Sequence, residues 1–137
     1  MGLILDTSIL IESEQLGEGV EDILRRIRAT HGEIDVALST VSVVELPHGI
    51  YRARTDADRT RRRVLAESVF HGLIVQPMTL EIARLAGRIE GEQAAKGNII
   101  DFEDLVIGAT ASHLDFDVVT VNVKHFQRIP GLKVVAL

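Results

Sequence analysis

At 137 residues and 15.0 kDa the chain is sized for one domain, residues 1–137, with room for a buried core. It has no cysteine, which excludes disulfides, thiolate catalysis and thiolate zinc sites and fits a reducing cytoplasm. A net charge of -5 argues against a polyanionic partner as a sum, yet Arg52, Arg54, Arg59, Arg61, Arg62 and Arg63 crowd one short stretch and Arg25, Arg26 and Arg28 another. From charge alone these stretches read equally as solvated helix faces or as tracks along a phosphate backbone.

In chain order, Leu3 to Leu5 form a short apolar strand that ends at Asp6-Thr7-Ser8, three good helix N-caps. The apolar start is broken by Asp6 and followed by Glu12 and Glu14, so it lacks the form of a signal peptide. No apolar run reaches the ~20 residues of a membrane span. A helix from Asp6-Thr7-Ser8 fades near Gly17, and Gly19 to Thr30 carries Val20, Ile23, Leu24 and Ile27 at helical spacing. Ile34 to Leu38 is the next strand. Ser39 or Thr40 then caps a helix bearing Val41, Val44, Glu45 and His48, which Pro47 is expected to kink or end. Asp56 caps a basic helix through about Phe70, Leu73 to Val75 is a third strand, and Thr79 caps a helix to Lys96-Gly97 that buries Ile82, Leu85, Ala86 and Ile89. Phe102 to His113 is an apolar helix rich in small residues. Val118 to Val121 and Lys133 to Ala136 are the last strands, separated by the turn at Pro130-Gly131. Solidly apolar strands alternating with helices predict an α/β fold, a central five-stranded parallel sheet flanked by helices on both faces.

Active sites of such sheets gather at the carboxyl ends of the strands. Asp6 follows the first strand, Glu45 lies on the helix after the second, and Asn122 follows the fourth. Asp6 alone reads as an N-cap, worth about 1 kcal/mol. Thr7 and Ser8 serve that purpose equally, which leaves Asp6 free. Glu45 is the one charge in Val41-Ser42-Val43-Val44-Glu45-Leu46. It either leaves the core along a polar stripe with Ser42 and Gly49 or is held by a cation, because an unpaired buried carboxylate is costly. Asp101 and Asp104 share one helix face at the start of Leu105-Val106-Ile107-Gly108-Ala109. Asp104 is favoured as a ligand with Asp101 as the second candidate, one of them serving the helix start, while Glu103 is expected to face solvent. Asp115 and Asp117 read as turn residues at the wrong end of the fourth strand. Carboxylates with no adjacent Lys or Arg in sequence suit a hard cation, Mg2+ or Mn2+. The histidines show no metal-ligand pairing, His125 being expected at the surface, and no GxGxxG, phosphate-binding loop or GxSxG is present.

With these residues placed, the chain resembles the PIN-domain ribonucleases, specifically VapC-type toxins of bacterial toxin–antitoxin pairs. The resemblance lies in Leu5 to Ser8, in Ser39 to Leu46, in Asp104 to Ala111, and in Val119 to Phe126 followed by Ile129-Pro130-Gly131-Leu132, spread over nearly the whole chain. It implies metal-dependent hydrolysis of RNA phosphodiesters at a site made of Asp6, Glu45 and Asp104, which would hold Mg2+ or Mn2+. Asp101, Asn122, Thr7 and Thr120 would be auxiliary positions. Asn122 stands where many relatives carry a fourth Asp, which leaves one or two ions open. Arg52, Arg54, Arg59 and Arg62 would track RNA. A cytoplasmic homodimer, neutralised by a VapB-like antitoxin and without membrane contact, is likewise what the resemblance implies. The competing readings are a catalytically weak module of the same fold that binds RNA or protein, and a metal-dependent phosphatase of the haloacid-dehalogenase type. The latter wants a second Asp where Ser8 stands.

Overall fold

The computed structural model describes residues 1–137. The chain runs β1 (Gly2–Leu5), α1 (Thr7–Gln15), α2 (Val20–His31), β2 (Asp35–Ser39), α3 (Thr40–Tyr51), α4 (Asp56–Gly72), β3 (Ile74–Gln76), α5 (Leu80–Ala95), α6 (Phe102–Leu114), β4 (Asp117–Val119), α7 (Val123–Phe126) and β5 (Val134–Val135). The strands form one five-stranded sheet in the order β3, β2, β1, β4, β5, and every pairing is parallel. The expected architecture is therefore borne out. No helix is long and apolar enough to cross a membrane.

All four residues of β1 are buried because the strand is central and covered on both faces. Leu3 and Leu5 point into one core with Ile9, Ile23, Leu38, Leu46 and Leu65. Ile4 points into the opposite core with Ala37, Ile82, Leu105, Ile107 and Phe126. The two-residue period of a strand divides these side chains between helices α1 to α4 on one side and α5 to α7 on the other. Between β1 and β4 the strand order reverses direction. This is the switch point at which parallel sheets open a crevice beyond their carboxyl ends.

Several local expectations are corrected. Helix α3 continues through Pro47 to Tyr51. The lost backbone bond is outweighed by packing, with Leu46 and Ile50 buried on either side and Arg62 Nη1 donating to the Gly49 carbonyl at 2.6 Å. Thr55, not Asp56, caps α4, its hydroxyl accepting from the Asp58 amide at 3.1 Å. Leu85 is only partly buried, packing at the edge of the second core. Strand β4 ends at Val119, and the chain then turns into α7, which the apolar pattern does not announce. Asp115 closes α6 in the left-handed conformation, φ 57°, and Asp117 begins β4 with Lys133 at 3.6 Å.

Helix α6 is buried along Leu105 to Ala111. Gly108 is required there, because a Cβ would overlap Ile129 Cδ1 within a side chain that is 2% exposed. Gly108→Ala is expected to cost about 1–3 kcal/mol, the usual penalty for overpacking. Urea denaturation checks this, and a loss below a few tenths would show that Ile129 can move aside.

Candidate active site

Asp6 leaves the end of β1 with its amide donating to the Val119 carbonyl at 2.9 Å, which extends the β1–β4 pairing by one residue. It occupies the N-cap position of α1 but makes no capping hydrogen bond. Instead its Oδ2 accepts from Ser8 Oγ at 2.6 Å and from Thr120 Oγ1 at 2.7 Å, with Asp6 only 5% exposed. Both hydroxyl protons are thereby spent on Asp6, so the 3.2 Å approach of Ser8 Oγ to Thr120 Oγ1 is a close contact of two oriented oxygens. Those oxygens are fixed in turn by backbone amides, Val121 to Ser8 at 3.3 Å and Asn122 to Thr120 at 2.9 Å.

Glu45 is placed by a second hydroxyl chain. Thr7 Oγ1 donates to Glu45 Oε1 at 2.7 Å and lies 2.8 Å from Ser42 Oγ. Thr7 has one hydroxyl proton, so Ser42 is the donor to Thr7, and the chain runs Ser42 to Thr7 to Glu45. Ser42 is fully buried one turn before Glu45 on α3. The polar stripe foreseen for Glu45 is thus real, but it leads through Thr7 into the cleft.

Asp104 stands in the first turn of α6 with its side chain 15% exposed, and His125 Nδ1 lies 3.3 Å from its Oδ2. Burial pushes its carboxyl up to about 6, helped by the charge of Asp6 and, less strongly, of Asp101 and Glu103, while His125 opposes the shift. Glu45 is also raised, first by burial and then by Glu103 and Asp6, against the hydrogen bond from Thr7.

Asp6, Glu45, Asp101, Glu103 and Asp104 line one open cleft of about 250 Å³ with His125 as its one basic side chain. Thr7, Ser8 and Asn122 complete its polar wall, and Thr120 lies buried just behind. The structure thus gathers all seven acidic and auxiliary residues expected from sequence. Glu103 is exposed as expected, yet it belongs to the cleft rim. His125 is exposed as expected and also contacts Asp104. Ser8 and Ser42 are additions for which the sequence offers only their nearness to Asp6 and Glu45.

The arginines are divided. Arg62 lines a small neighbouring hollow with Glu45, Ile11 and Leu65. Arg59 is occupied by Asp56 at 2.7 Å and by the Ala53 carbonyl at 3.1 Å. Arg52 and Arg54 are exposed and outside the acidic cleft.

A cleft in which burial and the charge of Asp6 raise Asp104 and Glu45, with no Lys or Arg in its lining, fits a divalent cation. No three carboxylate or imidazole groups converge as a ready-made cage.

Thr7→Val tests the hydroxyl chain. It unseats Glu45 and leaves Ser42 without its acceptor, so stability is expected to fall by about 1–3 kcal/mol. The metal-ligand role that the resemblance implies for Glu45 predicts a loss of roughly 10–100-fold in RNA cleavage alongside. Thr7→Ser, which keeps the hydroxyl, is expected to retain most of both.

Comparison with known proteins agrees with this architecture. The PIN domain family model matches residues 3–132. Ribonuclease VapC19 of Mycobacterium tuberculosis is 29% identical over 130 residues, which span 95% of this chain and 96% of that protein. Ribonuclease VapC10 of the same species is 38% identical over 98 residues, spanning 72% of this chain and 68% of that one. In the crystal structure of VapBC2 from Rickettsia felis bound to a promoter DNA fragment, one chain superposes with a TM-score of 0.83 at 22% identity, covering 100% of this chain and 99% of that one. The chain therefore belongs to the PIN-domain family, as one of its VapC-type members.

Proposed function

We propose that the chain is a divalent-metal-dependent endoribonuclease that acts as the toxin of a toxin–antitoxin pair. The observation that carries this reading is the placement of Asp6, Glu45 and Asp104 around one cleft at the sheet's switch point, each on a different element and two of them oriented by hydroxyls. Asp6 and Asp104 would hold Mg2+, with Mn2+ as a substitute, and Glu45 would complete the site. The bound ion would lower the pKa of the attacking water and offset charge building on the phosphate.

The remaining work falls to the protein. Ser8 and Thr120 fix Asp6 Oδ2 and so set the direction of its other oxygen, to which the protein donates no hydrogen bond. Thr7 engages one oxygen of Glu45, and the second is left to orient water as a proton acceptor, a role its raised pKa suits. Asp101 and Glu103 add negative charge at the rim, and Asn122 offers a neutral amide where a further carboxylate would draw a second ion. One tightly held ion is the expected occupancy. Arg62, with Arg52, Arg54 and Arg59 further out, would draw RNA toward the cleft and make binding salt-dependent.

The relatives' solved structures include VapBC complexes. By that likeness a VapB-like antitoxin would lay an apolar segment on α1, α3 and α4. A hollow of about 140 Å³ bordered by Ile11, Leu46 and Leu65 adjoins Glu45 there and supports the idea. A basic antitoxin side chain would then meet the carboxylates. A homodimer in the cytoplasm is part of the same proposal.

The test is digestion of total RNA by antitoxin-free protein in Mg2+, in Mn2+ and in EDTA, with p-nitrophenyl phosphate as a second substrate. Discrete RNA cleavage that EDTA abolishes is expected, with no monoester hydrolysis. Folded protein that binds RNA without cutting it would favour a binding module instead, and hydrolysis of the monoester alone would favour a phosphatase.

A further inference from the structure

A second cavity, of about 210 Å³, opens against the acidic cleft on its α7 side. It shares Asp101, Asp104 and His125 with the cleft and adds Lys124, Arg128 and the carbonyl-bearing turn at Ile99-Ile100. Arg128 is anchored there by Nη1 donating to the Ile99 carbonyl at 2.9 Å. That bond uses one of the five N–H donors of the guanidinium and holds the fork against the cavity wall with the others free. Lys124, four residues earlier on α7, makes no hydrogen bond or ion pair to the protein. Although two carboxylates border the same cavity, Asp104 pairs with His125 and neither carboxylate pairs with Lys124 or Arg128.

Two of the arginines on α4 are neutralised internally, while Arg62 on the far side of Glu45 donates to the Gly49 carbonyl. Arg59 and Arg61 are tied to Asp56, Asp58 and Glu14. Lys124 and Arg128 are thus unneutralised cations set directly beside the carboxylates, in a chain whose net charge is -5. A cation pair next to a site that handles phosphodiesters matches the charge and fork geometry of a phosphate group. Ile99, 79% exposed at the same cavity, gives an apolar surface for the attached ribose.

We infer that Lys124 and Arg128 form a phosphate-binding subsite that grips the RNA backbone at a nucleotide adjacent to the cleaved bond. This rests on the ribonuclease reading of the acidic cleft and adds to it the element that sets which way the strand lies. The strand would cross from α7 over Asp104 toward Glu45, so that the α7 side fixes its register while the carboxylates act on the neighbouring phosphate.

The experiment compares wild type, Lys124→Glu, the double variant Lys124→Ala/Arg128→Ala, and Lys133→Ala. Lys124→Glu breaks no hydrogen bond of the fold, so it keeps the test readable if the change at Arg128 disturbs its turn. Lys133 sits at the opposite end of the sheet beside Asp117 and controls for the removal of charge alone. Two quantities are read: cleavage of a single-stranded RNA in Mn2+, and affinity for the same fluorescein-labelled RNA, by anisotropy in Ca2+, across a salt series. Lys124→Glu and the double variant are expected to raise KM about tenfold, with the effect falling on KM rather than kcat. The slope of log affinity against log salt should shrink by about 0.7 in the double variant, which leaves one RNA phosphate without its cations. Lys133→Ala should match wild type in both. Unchanged KM and slope in Lys124→Glu and the double variant, or equal changes in Lys133→Ala, would overturn the subsite while leaving the nuclease intact. If wild type cleaves nothing, the nuclease reading fails on its own, and the salt series alone then decides whether Lys124 and Arg128 hold RNA.

Discussion

Asp104→Asn is expected to yield a protein that is more heat-stable than wild type at pH 7.5 in EDTA and inactive on RNA. The Asp104 carboxyl is pushed up to about 6 from 3.8 by burial and by Asp6. Between those values the folded state holds a proton that the unfolded chain releases. Stability therefore falls as pH rises through about 4 to 6, and the full penalty is present above that window. Removing the charge lifts the penalty. Each pKa unit corresponds to about 1.4 kcal/mol, but Asp104 opens onto a solvated cleft, so a gain of about 1–2 kcal/mol is the expected size. The gain should shrink toward zero below pH 4, where Asp104 is protonated in both states. Thermal unfolding across pH checks each part. Wild type should in turn be stabilised by Mn2+, by about 2.7 kcal/mol at a hundredfold excess over the dissociation constant, and the variant should not respond.

Asp6→Ala should behave in the opposite sense for stability. Its carboxylate is buried and accepts from Ser8 and Thr120, so its removal strands two hydroxyls, one of them fully buried. A loss of about 1–3 kcal/mol is expected. The loss is lessened because Asp104 no longer faces the Asp6 charge, and its titration should move down from about 6 toward the ordinary carboxylate value. Carbon-13 NMR of the Asp104 carboxyl in Asp6→Ala reads that shift directly. Cleavage should fall by more than a hundredfold, since even the outer partners of metal ligands are worth roughly 10–100-fold. An Asp104 titration unmoved by the loss of Asp6 would mean that the two carboxylates do not share one site.

The contrast between these variants bears on what a sequence can disclose. Asp6, Glu45 and Asp104 were legible because each is a charge set against an apolar run, and Asp6 and Glu45 also follow strands of a sheet expected to be parallel. The parallel sheet was legible because β1, β2 and β4 carry little but Val, Ile, Leu and Ala where they are buried. The hydroxyl chains were not. Ser8 and Ser42 have no pattern that separates a donor to Asp6, or to the Thr7 that holds Glu45, from an ordinary helix-start serine, and only the tertiary fold brings Ser8 to Thr120. The same holds for His125. Its contact with Asp104 depends on the turn at Asn122, which sends the chain into α7 and brings it back over the start of α6. Pro47 does not end α3 where it stands, because the packing of Leu46 and Ile50 carries the helix on to Tyr51.

The most direct test of a metal-dependent site is the rate of RNA cleavage as a function of Mn2+ concentration, measured side by side for wild type and Asp104→Asn. Wild type should show a saturable rise from no activity in EDTA, and Asp104→Asn, folded and at least as stable, should stay flat at every concentration. Cleavage by Asp104→Asn within tenfold of wild type, or a wild-type rate indifferent to the ion, would contradict a metal-dependent site built on these carboxylates.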